Sequence, residues 1–241
     1  LIVNGNVTIN DADAWVKFTK MSVDHADGVL NITGDTKYES SIHNGGTTGT
    51  SLVFYNAGKV NIDATSNVEI DNKTTLVEGA ELNIASANVI AKGDVDVTGN
   101  GAINFTALTA KLTAQEGLTI VDKVNDPDYA IAYLDGTYQY AKYVAQIGEA
   151  KYLTLQEAVN AAQNNETITL LVDVNVTTPA YGQNALNHAR AINFTLDLNG
   201  KTLSANTGNS VFRFNIAGSG ATEDVTVTIK NGTVVSGEDT W

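Results

Sequence analysis

The sequence has little of several residue types on which other protein classes depend. It has no cysteine among its 241 residues, which excludes disulfide bonds, thiolate zinc sites and cysteine nucleophiles. No apolar run reaches the roughly 20 residues of a membrane-spanning helix, so membrane insertion is not expected. Positive charge is also scarce, because 14 Lys and Arg stand against 27 Asp and Glu and give a net charge of −13. Such a charge repels phosphate backbones and anionic lipids, so nucleic acid is not an expected partner.

A short motif recurs in the first half of the chain, in which an asparagine stands between two apolar residues. It occurs as Leu30-Asn31-Ile32, Val60-Asn61-Ile62, Leu82-Asn83-Ile84 and Ile103-Asn104-Phe105. The third residue of the motif returns after 30, 22 and 21 positions (32 to 62, 62 to 84 and 84 to 105). Steps of about 20 to 25 residues are typical of one coil of a β-solenoid, in which successive coils stack and bury one face of their strands. The longest step predicts a loop over residues 33–59 that bulges from its coil.

The repeating pattern breaks at Asp126-Pro127-Asp128. The residues that follow predict a β-hairpin over 129–143, turning at Asp135-Gly136, which is a favoured type I′ pair. Residues 126–152 are therefore predicted to be a tyrosine-rich junction between a first solenoid unit, residues 1–125, and a second unit, residues 153–241. Because strand-like sequence begins at residue 1, the first unit is predicted to be truncated at its N-terminus and the chain to be a piece of something longer.

The second unit opens with a helix signal. Thr154-Leu155-Gln156-Glu157 has the pattern of a capping box, and apolar residues follow at helical spacing. We expect a helix near residues 154–163. Strand patterns then return in two related phrases, Leu196-Asp197-Leu198-Asn199-Gly200-Lys201-Thr202-Leu203 and Thr228-Ile229-Lys230-Asn231-Gly232-Thr233-Val234. They predict longer coils with loops at 177–193 and 205–223.

The run from Ala145-Gln146-Ile147-Gly148 through the helix to Thr167-Ile168-Thr169-Leu170-Leu171 resembles the N-terminal cap of pectin-lyase-like right-handed parallel β-helices. The two later phrases are similar to coils of that family in large bacterial surface proteins. The specific resemblance covers about residues 141–241, and the first half shares period and composition. The resemblance implies an all-β fold, a right-handed parallel β-helix (β-solenoid) in two consecutive units, the second with an N-terminal capping α-helix. It also implies an extracellular, bacterial cell-surface location.

The catalytic motifs of that family's enzymes are not found in the sequence. A lyase of this fold needs an Arg or Lys base beside acidic calcium ligands, and neither Arg190 nor Arg213 has an Asp cluster one coil away. A hydrolase of this fold needs paired carboxylates, and the chain has no Asp-Asp and no Gly-His-Gly. The sequence therefore predicts no catalytic residue and no resident cofactor.

Two groups of residues near the junction are candidate binding sites. Carboxylates spaced closely enough to surround a calcium ion occur at Asp122, Asp126 and Asp128, although turn-forming acids beside a proline give the same pattern. Aromatic side chains that can stack on sugar rings or anchor a protein occur at Tyr129, Tyr133, Tyr138, Tyr140 and Tyr143. The tyrosines have an alternative role as well, which is to seal the C-terminal end of the first solenoid against the cap of the second.

These observations favour a non-enzymatic extracellular protein of structural or adhesin type. Its rigid solenoid would present loops or assemble with copies of itself, since open coil ends favour head-to-tail continuation into a filament or surface lattice. The alternative is a carbohydrate-binding or polysaccharide-degrading β-helix module. The expected partners are further copies of the chain, or a glycan or protein surface of a host or a cell wall.

Overall fold

The computed structural model of the chain describes residues 3–10, 15–17, 22–23, 25–34, 37–39, 53–65, 67–70, 73–176, 186–188, 192–205, 211–214 and 225–235. The chain divides into two compact units, residues 1–141 and 142–241. The predicted junction, residues 126–152, is thus shared between the two units. Both units consist of β-strands, with a single short helix in the described part of the second, so the all-β class is confirmed.

The first unit is built from short strands that follow one another closely along the chain. They are β1 (Asn6–Asn10), β2 (Trp15–Lys17), β3 (Ser22–Val23), β4 (Val29–Gly34), β5 (Lys37–Glu39), β6 (Val53–Asn56), β7 (Lys59–Ala64), β8 (Val68–Ile70), β9 (Lys73–Leu76), β10 (Glu81–Ile84), β11 (Val89–Ala91), β12 (Val95–Val97), β13 (Ala102–Phe105), β14 (Lys111–Thr113), β15 (Ile120–Asp122), β16 (Tyr129–Leu134) and β17 (Thr137–Lys142). Their alternating apolar residues are typical of strands with one buried face.

These strands form several parallel sheets that the chain visits in a fixed order. The first sheet has the order β1-β4-β7-β10-β13-β15 and is parallel throughout. A second sheet contains β8, β11 and β14, and a third contains β3, β6, β9 and β12. In the middle of the unit, each pass of the chain adds one strand to each of these sheets, as β7, β8 and β9 are followed by β10, β11 and β12. Strands β2 and β5 pair in a separate parallel sheet, and β14 is followed directly by β15 of the first sheet. Strands β5 and β6 lie within residues 33–59, so the prediction of a loop there is wrong for these residues.

The recurring motif supplies the buried core of the first sheet. Equivalent apolar residues lie opposite one another on successive strands, as Leu30, Val60, Leu82 and Ile103 do. Each of these side chains is at most 2% exposed. Burying one such side chain contributes about 1.5–3 kcal/mol. The asparagine between each apolar pair therefore lies on the opposite, outer face.

A hairpin completes the first unit. Strands β16 and β17 join at Asp135 and Gly136, whose φ angles of 50° and 81° fit the predicted type I′ turn and confirm the hairpin. Strand β17 pairs antiparallel with β14, with Tyr138 opposite Leu112. The sheet of β8, β11 and β14 therefore ends on an antiparallel pair.

The second unit contains β18 (Ala145–Ile147), β19 (Ala150–Tyr152), α1 (Leu155–Ala161), β20 (Glu166–Leu170), β21 (Val174–Val176), β22 (Leu186–His188), β23 (Phe194–Asp197), β24 (Thr202–Ala205), β25 (Phe212–Phe214), β26 (Val227–Lys230) and β27 (Thr233–Val235). Helix α1 has the predicted capping box: the Glu157 N–H donates to the Thr154 hydroxyl at 3.1 Å, and the Thr154 N–H donates to the Glu157 carboxylate at 3.0 Å.

Parallel pairing also dominates the second unit. Its main sheet has the order β19-β18-β20-β23-β26, in which β18 is antiparallel to both of its neighbours and β20, β23 and β26 are parallel. Strands β21, β24 and β27 form a second parallel sheet, and β22 pairs in parallel with β25. Because β22 and β25 lie within residues 177–193 and 205–223, the predicted loops contain short paired strands.

Candidate functional site

The outer face of the first sheet carries an asparagine ladder, which we define as Asn31, Asn61, Asn83 and Asn104. The Nδ2 of Asn61 donates to the Oδ1 of Asn31 at 2.8 Å. The Nδ2 of Asn83 donates in the same way to Asn61 at 2.8 Å, and that of Asn104 donates to Asn83 at 2.7 Å. Every hydrogen bond therefore runs in the same direction along the sheet.

The ladder forms because the four asparagines occupy the same register position on β4, β7, β10 and β13. At its first rung, the Nδ2 of Asn31 donates to Asn6 at 2.9 Å and to the Thr8 hydroxyl at 3.3 Å. Each such bond contributes about 0.5–1.5 kcal/mol. A slip of one residue would turn the asparagine towards the core, so the ladder also fixes the register of the strands.

The last rung of the ladder is incomplete. Asn104 is 1% exposed, and its Oδ1 has no hydrogen-bond partner among the described residues. On the next strand, β15, the residue opposite Asn104 is Val121, whose side chain has no donor. A buried unpaired acceptor costs about 1–3 kcal/mol.

We expect the substitution Val121→Thr to raise the free energy of unfolding by about 1 kcal/mol, because the hydroxyl supplies Asn104 with the missing donor while the branched shape is kept. Urea denaturation followed by circular dichroism measures the change. Val121→Ala is the control and should lower the stability. Equal destabilisation by both substitutions would show that Asn104 does not accept a bond from this position.

Three of the five candidate binding tyrosines pack against the core of the first unit. The hydroxyl of Tyr133 donates to the Ala114 carbonyl at 3.1 Å. The hydroxyl of Tyr138 donates to the Gln115 carbonyl at 3.2 Å and accepts from the Leu118 N–H at 2.6 Å. Tyr138 is 5% exposed. These hydroxyl groups are thus engaged with the backbone of the first unit itself.

The third of these tyrosines, Tyr140, binds a candidate calcium ligand. Its ring centroid lies 5.9 Å from that of Phe105, and its hydroxyl donates to the Asp122 carboxylate at 2.5 Å. The same Oδ1 accepts from the N–H groups of Val124 and Asn125, both at 2.9 Å. Asp122 therefore joins the hairpin to the turn after β15.

The other two acids of the candidate calcium site lie in the same segment. The carboxylate of Asp126 accepts a hydrogen bond from the N–H of Asp128 at 2.9 Å, which is the geometry of a turn-forming aspartate. In the described ranges, no group of three or more His, Cys, Asp or Glu side chains is placed to hold a metal ion. The geometry of Asp122, Asp126 and Asp128 is accordingly that of turn-forming acids.

The remaining two tyrosines have different surroundings. Tyr129 is half-buried at the start of β16, and its N–H donates to the Asp126 carbonyl at 3.2 Å. Tyr143 belongs to the second unit, where the Nζ of Lys151 lies 5.6 Å from its ring centroid in a cation–π contact. Tyr133, Tyr138 and Tyr140, in contrast, are brought together on the core of the first unit.

The contact between Tyr140 and Asp122 makes stability depend on pH. Burial acts to raise the pKa of Asp122, but hydrogen bonds from Tyr140, Asn125 and Val124 outweigh it and hold that pKa below its usual value. Burial and the bond to Asp122 raise the pKa of the Tyr140 hydroxyl. The Asp122 contribution is therefore present above about pH 4 and is lost as the pH falls through the folded-state pKa. The Tyr140 contribution is present below about pH 10 and is lost as the pH rises.

We expect Tyr140→Phe to lower the free energy of unfolding by about 1–2 kcal/mol at pH 7, because a hydrogen bond to a charged group is lost. The loss should shrink below about pH 4, because the unfolded chain then binds a proton at Asp122 that the folded protein, with its lowered pKa, does not yet bind. Urea denaturation at pH 7 and at pH 3 measures it. Tyr143→Phe removes a hydroxyl without a described partner and serves as the control. A constant difference between the two pH values would contradict the prediction.

An open groove of about 320 Å³ lies in the first unit beside the tip of the hairpin. Most of its lining is polar and includes Asn88, Thr113, Gln139, Lys111 and Asp135. Leu134, at 45% exposed, forms an apolar edge. This arrangement can offer hydrogen bonds, one positive charge and one negative charge to a small polar ligand. The sequence pattern did not indicate it, because the groove combines residues from the hairpin tip, β14 and the segment before β11.

Other residues considered from the sequence lie outside the described part. Arg190 is one of them, whereas Arg213 lies on β25. Among the helices of the described residues, none is long and apolar enough to cross a membrane.

The chain matches no protein-family model, no curated protein and no solved structure. Its function is therefore inferred from its own residues and their geometry.

Proposed function

We propose that this chain is a non-enzymatic, extracellular segment of a bacterial surface protein of structural or adhesin type. In this proposal, it forms two consecutive units of a right-handed parallel β-helix of the pectin-lyase-like kind, and it presents loops or assembles with copies of itself. The observation that supports it most directly is the six-stranded parallel sheet with its asparagine ladder. This arrangement repeats one strand with its asparagine, so the same side chain recurs at each strand along the outer face of the sheet.

The order of the strands supports the β-helix. In the middle of the first unit, successive passes add a parallel strand to the same three sheets in the same order, with the apolar residues in register. In the second unit, the buried face of α1 packs into the core beside Ile168 and Leu196, as a helix that closes the first coil of a solenoid would. Terminal elements of this kind are needed because an uncovered first coil exposes apolar residues and unpaired strand edges.

The proposed role rests on stiffness rather than on a catalytic centre. Every inner strand of the first sheet is hydrogen-bonded on both edges, and the side chains of the outer face are bonded to one another as well. Neighbouring strands in a sheet are about 4.8 Å apart, so loops that leave successive coils are held at fixed intervals. The high negative charge suits an exposed protein that has to remain dispersed.

Hydrogen exchange on the purified chain tests this proposal. We expect the backbone amides of β4, β7, β10 and β13 to exchange together and only through global unfolding, as in one rigid cooperative body. The same protein should leave a panel of neutral and uronate polysaccharides intact. Independent opening of single strands, or depolymerisation of any polysaccharide in the panel, would overturn the proposal.

The groove favours a second candidate function, which is carbohydrate binding. Amides such as Gln139 and hydroxyls such as that of Thr113 form the hydrogen bonds that sugar hydroxyls require, and Leu134 can pack on a sugar ring. Degradation is less well supported, since glycoside hydrolysis needs two carboxyl groups and Asp135 is the one acid in the described lining. In a titration with uronate and neutral oligosaccharides, Gln139→Ala and Lys111→Ala should weaken binding. Lys123→Ala, an exposed change outside the groove, should not.

A further inference from the structure

The third sheet of the first unit ends at β12, which pairs with β9 alone among the strands that the structure describes. The backbone groups of alternate residues in a strand point to opposite edges. Towards β9, the Asp94 carbonyl accepts from the Thr74 N–H at 2.8 Å. The Thr98 N–H points the same way and donates to the Leu76 carbonyl at 2.9 Å. The N–H and the carbonyl of Val95 therefore point away from β9, to the other edge of β12.

The side chain of Gln115 occupies this other edge. Its Oε1 accepts from the Val95 N–H at 3.1 Å, and its Nε2 donates to the Val95 carbonyl at 2.7 Å. A side-chain amide offers the same kinds of donor and acceptor as a peptide group. Two antiparallel strands exchange this same pair of bonds between opposite residues. The amide of Gln115 thus takes the place of one residue of an antiparallel strand.

The hairpin holds the backbone that carries Gln115. The hydroxyl of Tyr138 donates to the Gln115 carbonyl at 3.2 Å and accepts from the Leu118 N–H at 2.6 Å. The hydroxyl of Tyr133 donates to the preceding carbonyl, that of Ala114, at 3.1 Å. The rings of the two tyrosines lie 4.7 Å apart, between their centroids. The position of the Gln115 amide is therefore fixed by side chains of β16 and β17.

Strand β12 has features that make such a cover necessary. Val97, the next residue whose backbone points to the same edge as that of Val95, has an apolar side chain that is 37% exposed. The charge of Asp96 is balanced by an ion pair with Lys73 on β9. Unpaired strand edges without a protecting charge are templates for pairing with another chain. Without Gln115, β12 would present such an edge.

We propose that Gln115 closes the third sheet to a second copy of the chain. Its amide stands in for the strand that would follow β12. A second copy is the partner that fits an uncovered edge, because two identical edges can pair antiparallel about a two-fold axis and exchange the bonds that Gln115 now makes. This goes beyond the proposed function, since it names an edge at which assembly is prevented. It stands whether or not copies assemble through other surfaces.

Amide hydrogen exchange measured by NMR tests the cover directly. In Gln115→Ala the Val95 N–H loses its acceptor, so it should exchange about tenfold faster or more. The Asp96 N–H, which points to β9, should keep its rate. Gln139→Ala makes the same truncation on β17, in the groove, and should leave both rates unchanged. An unchanged Val95 rate in folded Gln115→Ala would overturn the proposal.

Sedimentation at high salt, where repulsion between negatively charged copies is screened, tests the consequence. Gln115→Ala should form larger species than the unmodified chain does at the same concentration, and Gln139→Ala should not. Adding Val97→Lys to Gln115→Ala places a charge on each uncovered edge and should reverse the association. If Gln115→Ala fails to fold, Gln115→Met keeps the length of the side chain without its amide and is measured in the same two ways.

Two results of the sedimentation experiment would contradict the proposal. One is a Gln115→Ala chain that sediments like the unmodified chain at every concentration and salt level. The other is an association that Val97→Lys does not reverse, because the contact would then involve a surface other than the edge of β12.

Discussion

Replacing Gly58 with alanine should lower the free energy of unfolding of the first unit by about 3 kcal/mol, at the upper end of overpacking effects. A Cβ atom at this position would overlap the carbonyl oxygen of Gly28 and lie 2.6 Å from that of His25. These are backbone atoms, and the Gly28 carbonyl accepts the N–H of Lys59 at 2.9 Å. They can move aside only by disturbing the pairing of β4 with β7. Urea denaturation followed by circular dichroism measures the loss.

Gly5→Ala is the matched control for this substitution. A Cβ at Gly5 would have no other atom within 4 Å, and the residue is exposed. The change should therefore leave the unfolding midpoint nearly unchanged. If both substitutions had equal effects, backbone entropy rather than the close approach of successive coils would explain them, and the predicted tight stacking at Gly58 would be wrong.

Replacing Asn83 with aspartate should cost about 3 kcal/mol at pH 7, because it removes a donor in the middle of the asparagine ladder and adds a charge. The Oδ1 of Asn61 would lose its bond from Asn83 and face a carboxylate oxygen. The new carboxylate would also stand beside that of Glu81, to which the Nδ2 of Asn83 now donates at 3.3 Å. Urea denaturation at pH 7 checks the size of the effect.

The pH dependence of this variant separates the ladder from a general effect of charge. Repulsion raises the folded-state pKa of the new carboxyl group above its unfolded value of about 4, so the penalty is present above the folded pKa and disappears below the unfolded one. Asn100→Asp adds the same charge at an exposed turn, and it should lower the free energy of unfolding little, both at pH 7 and below the unfolded-state pKa. Equal losses for the two variants at pH 7 would contradict a structural role for the ladder.

Much of the fold could be predicted because the strands of the first unit repeat one pattern. Within the motif around Asn61 and Asn83, buried and outward-facing residues alternate, and the motif itself returns after 22 residues, so that its copies pair on neighbouring strands. Both repeats are visible in the sequence. The hairpin and the helix were predictable for local reasons, since Asp135-Gly136 and the capping box are short-range signals.

Other features depend on distances that the sequence does not show. The recurring motif was visible in the sequence, but the hydrogen bonds between its asparagines require neighbouring strands to pair in one particular register. The strands β22 and β25 are only three residues long and lie within sequence typical of loops, so they were predicted as loops. The tyrosines were visible as a cluster, yet only the structure shows that Tyr133, Tyr138 and Tyr140 face one core.

The asparagine ladder also bears on how such a protein can change in length during evolution. Each inner rung donates to the rung before it and accepts from the rung after it, so the loss of one repeat leaves two compatible neighbours. Successive rungs are 22 and 21 residues apart between Asn61, Asn83 and Asn104. A deletion of that size would let Asn104 bond directly to Asn61, whereas a deletion of another size would break the register. Duplication or loss of whole repeats can therefore lengthen or shorten the sheet by one strand spacing at a time, while the same apolar residues continue to pack against one another in the core.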